Sequence, residues 1–98
     1  MLNSSQRARL RGMANSLDTI LQVGKGGITD NVVSQASDAL TARELIKGRV
    51  LDSSMLSARE AADELARLCG AETVFTIGSR FVLYRESREI PKEKRLMI

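Results

Sequence analysis

At 98 residues, with 43% apolar residues and a formal net charge of +3, the sequence describes one small domain that buries roughly two thirds of its unfolded surface. It has no histidine and one cysteine, Cys69, which excludes an internal disulfide, a Cys/His zinc site and Ser–His or Cys–His catalysis. No run approaches the ~20 apolar residues of a membrane span and the first residues lack a signal-peptide core, so the expectation is a cytoplasmic protein with no membrane partner.

Ser4 or Ser5 is expected to cap a first helix running to about Ser16, with Leu10, Met13, Ala14 and Leu17 as its apolar face. Arg7, Arg9 and Arg11 make the first eleven residues basic without an acid, and Arg7 and Arg11, four apart, share a second face. Residues 19–23 form a short apolar run that reads as a strand. Gly24-Lys25-Gly26-Gly27 follows it, and then Thr29 or Asp30 caps a second helix with Val32, Val33, Ala36, Ala39 and Leu40 inside. Residues 44–51 read as a second strand in which Lys47 and Arg49 alternate with Ile46, Gly48 and Val50. A glycine at 48 should weaken that strand.

Ser57-Ala58-Arg59-Glu60 has the form of a capping box and opens a third helix. Its buried side is expected to be Ala58, Ala61, Ala62, Leu65, Leu68 and Cys69, with Gly70 ending it. Two last strands, 73–77 and 80–84, are joined by Gly78-Ser79, a hairpin signal. The order αβαβαββ predicts an α/β (α+β) fold: a four-stranded mixed sheet packed with three helices, its first two strands joined by a right-handed parallel crossover. Residues 1–84 make the folded domain. Residues 85–98, with five basic and three acidic side chains and Pro91, are expected to form a flexible tail.

The glycine loop is the most informative segment. Its plain reading is a tight turn that needs positive φ. Three glycines around one lysine exceed that need, and the following helix start adds free N–H groups and a partial positive charge. Together these suit a phosphate. Asp30 opposes this, since an acid in the first turn already compensates the helix dipole. The segment fits the G-x-x-G form that clamps a nucleotide backbone in one RNA-binding module. It does not fit a Walker A loop, which needs Lys-Ser or Lys-Thr, and a dinucleotide fingerprint would find Thr29 where its third glycine belongs. Free-nucleotide binding is therefore not expected.

Arginines on a helix face and Arg80 beside a hairpin are, by themselves, ordinary solvated side chains. Lys47 and Arg49 on one strand face are harder to set aside, because both must meet water, an acid or a phosphate. Phe75 and Phe81 sit in apolar strand runs and read as core, so recognition by aromatic stacking is not expected. Cys69, on an inner helical stripe, reads as a structural thiol. Most acids, Asp38, Asp63 and Glu64 among them, fall on solvent-facing helix positions and mark no catalytic pocket.

Several segments in order resemble one family: Gln6-Arg7-x-x-Leu10-Arg11-x-x-Ala14, Gln22-Val23-Gly24-Lys25-Gly26-Gly27-Ile28-Thr29, Ala39-Leu40 with Arg43-Glu44-Leu45-Ile46-Lys47, and Ile77-Gly78-x-Arg80-x-x-Leu83-Tyr84-Arg85. Over residues 2–88 the chain resembles the CRM domain, the chloroplast RNA splicing and ribosome maturation domain, in its bacterial stand-alone YhbY-type form. The resemblance implies a fold similar to the C-terminal domain of translation initiation factor three, with a KH-like glycine loop. It also implies binding of RNA, and for bacterial members association with precursors of the large ribosomal subunit. Carried over by position, the loop is Gly24, Lys25, Gly26 and Gly27, the basic helix positions are Arg7 and Arg11, and the hairpin arginine is Arg80. Lys47 joins them from the strand reading. Gly48 departs from the family pattern, where a β-branched residue is expected.

The expectation is thus a non-enzymatic, monomeric rRNA-binding protein of ribosome assembly, with no cofactor, no metal and no DNA partner. Two other classes stay open at this point: an adaptor that docks on a ribosomal protein or assembly factor, and a small nucleotide-binding or hydrolysing domain.

Overall fold

A computed structural model describes residues 2–98. The chain opens with α1 (Ser4–Ala14), whose cap is Asn3 rather than Ser4 or Ser5. The Asn3 side chain accepts the Gln6 N–H at 2.8 Å while the Gln6 side chain accepts the Asn3 N–H at 3.1 Å, a reciprocal capping box. The helix also stops earlier than the apolar spacing suggested, because the chain must turn at Asn15 to reach β1 (Thr19–Val23). Thr29 caps α2 (Asp30–Arg43) through its hydroxyl, which accepts the Val32 N–H. β2 (Leu45–Val50), α3 (Ala58–Cys69), β3 (Glu72–Ile77) and β4 (Arg80–Tyr84) complete the domain. The Ser57/Glu60 capping box and the left-handed Gly70, φ 65°, bound α3 as its sequence dictates.

The strands form one mixed sheet in the order β1-β2-β4-β3, with β1 and β2 parallel and β4 antiparallel to both neighbours. Alternation along the strands then serves two cores. Leu21, Val23, Ile46, Val50, Phe81 and Leu83 face α2 and α3. Leu45, Val82 and Tyr84 face the other way and receive Leu10 and Ala14 of α1, with Val74 at a β3 irregularity joining them. α1 is short, so it covers only part of its face of the sheet.

Three residues differ from the periodicity-based reading. Leu68 is 45% exposed, and Ala66 takes its place on the buried side of α3. Phe75 is half-buried against the α1 layer, not a core ring like Phe81. Glu44 does not begin β2: it ends α2 with φ 65°, is buried, and donates its N–H to Leu40 O at 2.8 Å.

Gly48 gives the clearest correction. A Cβ there would lie 2.7 Å from Cε1 of Phe81 and closer still to Cζ. The position needs glycine for packing, so the absence of a β-branched residue supports the sheet instead of weakening it.

The segment expected to hang free after residue 84 is held at several points. The two carboxyl oxygens of Glu44 accept the Ser87 and Leu96 N–H groups, each at 2.8 Å. Arg95 donates to Ile90 O at 3.0 Å, and Leu96 and Ile98 pack on the α1 side core. Charge and Pro91 concealed this, because the anchoring acid lies 43 residues before Ser87 and 52 before Leu96. Among the described residues no helix is long and apolar enough to cross a membrane.

Candidate functional site

The loop between β1 and α2 is fixed at both ends and open at its tip. Leu51 donates its N–H to Val23 O at 2.8 Å, and Gly24 lies against Leu51 and Ser53. Gly27 donates to Gly24 O at 3.0 Å and adopts φ 69°, a conformation that favours glycine. Lys25 and Gly26 are exposed. Among the described residues no protein acceptor is bonded to the amides of Lys25, Gly26 or Ile28, and Lys25 makes no ion pair. The result is a short run of N–H groups without a protein partner beside one ammonium, just before a fourteen-residue helix.

Strand order gives the loop its neighbours. The C-terminal ends of β1, β2 and β3 and the N-terminal end of β4 share one end of the sheet. Arg49 and Arg80 both lie there and are Cα partners across β2 and β4. Like charges placed directly opposite one another destabilise a sheet unless something neutralises them. Neither makes an ion pair among the described residues, and Nε of Arg49 is buried without a hydrogen-bond partner. Lys47, two residues back on the same face, adds a third cation.

α1 supplies a fourth. The guanidinium carbon of Arg11 sits 4.8 Å from the Phe75 ring centroid, within cation–π range. Arg11, Lys47, Phe75, Ile77 and Arg80 line a groove of about 460 Å³ between α1 and the part of the sheet that α1 leaves uncovered.

The predicted residues therefore fall into two adjacent sets. Gly24, Lys25, Gly26 and Gly27 form the loop, and Arg11, Lys47 and Arg80 line the groove. Arg7 stands apart. Its Nη1 donates to Thr73 O at 2.5 Å and to Val74 O at 2.9 Å, so it pins α1 to β3 at the irregular point of the strand. Arg49 joins the site from the structure. Its two-residue spacing from Lys47 was the available signal, but the opposing Arg80 is visible only in the register.

Arg85 is used internally. Its guanidinium donates to Ser37 O, Thr41 Oγ1 and Cys69 O, tying α2 to the end of α3. Burial pushes the Cys69 thiol up, against the opposing pull of Arg85, and its Sγ lies 3.7 Å from Val33 O. That is a packed thiol, not a nucleophile.

The chain matches the CRS1 / YhbY (CRM) domain description over residues 2–85. It is 44% identical over 89 residues to Bacillus subtilis YqeI, named a probable RNA-binding protein, covering 91% of this chain and 93% of that one. A Haemophilus influenzae chain named an RNA-binding protein is 33% identical over 88 residues, covering 90% of this chain and 89% of that one. The solution structure of a candidate RNA-binding protein from Staphylococcus aureus superposes with a TM-score of 0.78 at 42% identity, covering 94% of this chain and 96% of that one. With the αβαβαββ order, the glycine loop and the hairpin arginine all present in one fold, the chain belongs to the CRS1 / YhbY (CRM) domain family.

Proposed function

We propose that this chain is a non-enzymatic RNA-binding protein of the cytoplasm that engages rRNA, or precursors of the large ribosomal subunit, during ribosome assembly. One observation carries the reading: an open Gly24-Lys25-Gly26-Gly27 tip stands at the same end of the sheet as Arg49 and Arg80, which face each other with no acid paired to either. Relatives named as RNA-binding proteins support it.

The loop brings its free amides and Lys25 against ribose-phosphate. Arg11, Lys47, Arg49 and Arg80 extend the positive surface beyond it, and Arg7 holds α1 so that Arg11 is correctly placed. Phosphate contacts of this kind fix orientation but carry little sequence information, so selectivity comes from the folded shape of the RNA.

The test is the paired substitution Lys25→Asp and Gly26→Asp. Gly26 has ordinary φ, and the nearest atom to an added Cβ is the Thr29 methyl at 3.2 Å, so the cap residue must shift by a few tenths of an ångström to admit it. The double variant should keep the native circular dichroism spectrum and lose binding to rRNA fragments in a filter-binding assay. Binding that persists at native affinity removes the loop from the interface.

A further inference from the structure

The groove beside α1 contains more than phosphate binding requires. Its cations are interleaved with an apolar wall: Ile77 is 62% exposed, Phe75 is half-buried, and Val82 forms part of the floor. Exposed apolar surface beside unpaired cations has no role toward phosphate oxygens. Arg11 has one toward a flat, uncharged ring. Phe75 holds the guanidinium in place from one side, yet Arg11 remains exposed and makes no ion pair or side-chain hydrogen bond among the described residues. A planar cation fixed in this way is a stacking surface, which a lysine ammonium is not.

The helix side of the groove leaves room for such a ring. Ala8 and Gly12, one turn apart on α1, both line it, and a Cβ built on Gly12 would meet nothing within 4 Å. The volume, about 460 Å³, falls in the range of sites that enclose a small ligand. At the sheet-end side of the same face stand Arg49 and Arg80, and Nε of Arg49 is buried without a hydrogen-bond partner.

We propose that this groove holds one unpaired nucleotide of the bound RNA, with its base against the Arg11 plane and Ile77 and its phosphate at Arg49 and Arg80. The inference rests on the RNA-binding reading above and adds that the RNA is single-stranded where it crosses α1. A duplex keeps its bases paired and stacked, and offers the groove only phosphate and ribose.

The experiment compares a single-stranded oligouridylate of about ten nucleotides, a span one small binding domain covers, with a duplex RNA of equal length at one salt concentration. Arg11→Lys keeps the charge and removes the plane. Phe75→Leu keeps an apolar side chain and removes the ring that holds Arg11. Each should weaken single-strand binding about tenfold and duplex binding distinctly less.

Single-strand affinity for Arg11→Lys within about twofold of native overturns the inference, as does an equal loss on both RNAs, which would make Arg11 an electrostatic contact only. Arg11→Lys lies on an exposed helix position, so its result holds even if Phe75→Leu loosens α1. The loop double variant, run alongside, separates the two claims. Its loss of binding with Arg11→Lys silent leaves the RNA reading standing and this inference refuted. Native protein that binds rRNA fragments but not the oligouridylate overturns this inference alone, and native protein that binds none of the three refutes both.

Discussion

A side chain on Gly48 would occupy the space of the Phe81 ring, and Phe81 is 1% exposed in the centre of the α2/α3 core. Intrinsic preference alone favours replacing a mid-strand glycine. Packing reverses the sign. Gly48→Ala should lower the unfolding free energy by about 1–3 kcal/mol, the usual cost of overfilling a core, and should cost distinctly less in a Phe81→Leu background. Urea denaturation of the four proteins of that cycle checks this; a more stable Gly48→Ala variant would show the ring free to move aside. The sequence marks Gly48 only as a strand defect, because its partner ring comes from the last strand through a register that local pattern does not contain. Glu44 was hidden in the same way. Its place in an apolar-flanked run suggested a strand, whereas its left-handed backbone and buried carboxyl answer to the amides of Ser87 and Leu96. Strain of this kind persists when surrounding contacts over-determine it.

Helix starts were more legible than single residues, because a cap is a local device. The Ser57/Glu60 box of α3 could be read four letters at a time, and both of its bonds are present: Glu60 N–H to Ser57 Oγ at 3.0 Å and Ser57 N–H to Glu60 Oε1 at 2.9 Å. The cap of α1, Asn3, lies one or two residues before the serines the sequence points to, since Asn3, Ser4 and Ser5 all suit the role and only Asn3 has Gln6 three residues on. The α3 box also has a pH signature. Hydrogen bonds from the Ser57 backbone, and then from its side chain, hold the Glu60 carboxyl below its ordinary range. A carboxyl lowered on folding stabilises the folded state above its unfolded pKa, and that contribution disappears as pH falls through the lowered folded value. Glu60→Gln keeps a hydrogen-bonding box without the titration. Its stability should therefore fall less than that of the native chain between neutral pH and about pH 3. Ser57→Ala, which removes the cap hydroxyl, should cost about 1 kcal/mol at neutral pH. Urea titrations at the two pH values read both effects, and parallel losses in Glu60→Gln and native protein would show that other carboxyls govern the acid limb.

Across the whole molecule, a net charge of +3 conceals how the charges are sorted. Each ion pair among the described residues lies on α3 or in the C-terminal segment: Arg59 with Asp63, Arg67 with Glu64, Arg95 with Glu86. The cations of the loop and groove have no such partner. The glycine loop, the strand cations and the hairpin arginine could each be named from sequence, but their meeting at one sheet end depends on the order β1-β2-β4-β3, which brings the hairpin strand between β2 and β3. That arrangement makes a quantitative claim about counterions. Each cation that neutralises a phosphate releases one, so the slope of log affinity against log salt scales with the number of such contacts, about 0.7 per contact on single strands and 0.9 on duplex. Arg80→Ala should reduce the magnitude of the slope by about that amount, and the loss should be similar across RNA sequences. Arg67→Ala removes the same charge from the far, paired surface of α3 and should leave the slope unchanged, although the net charge falls equally in both. Binding isotherms over a salt series separate the two cases. If the variants shift the slope alike, net charge attracts the RNA and the sheet end has no special place in the contact.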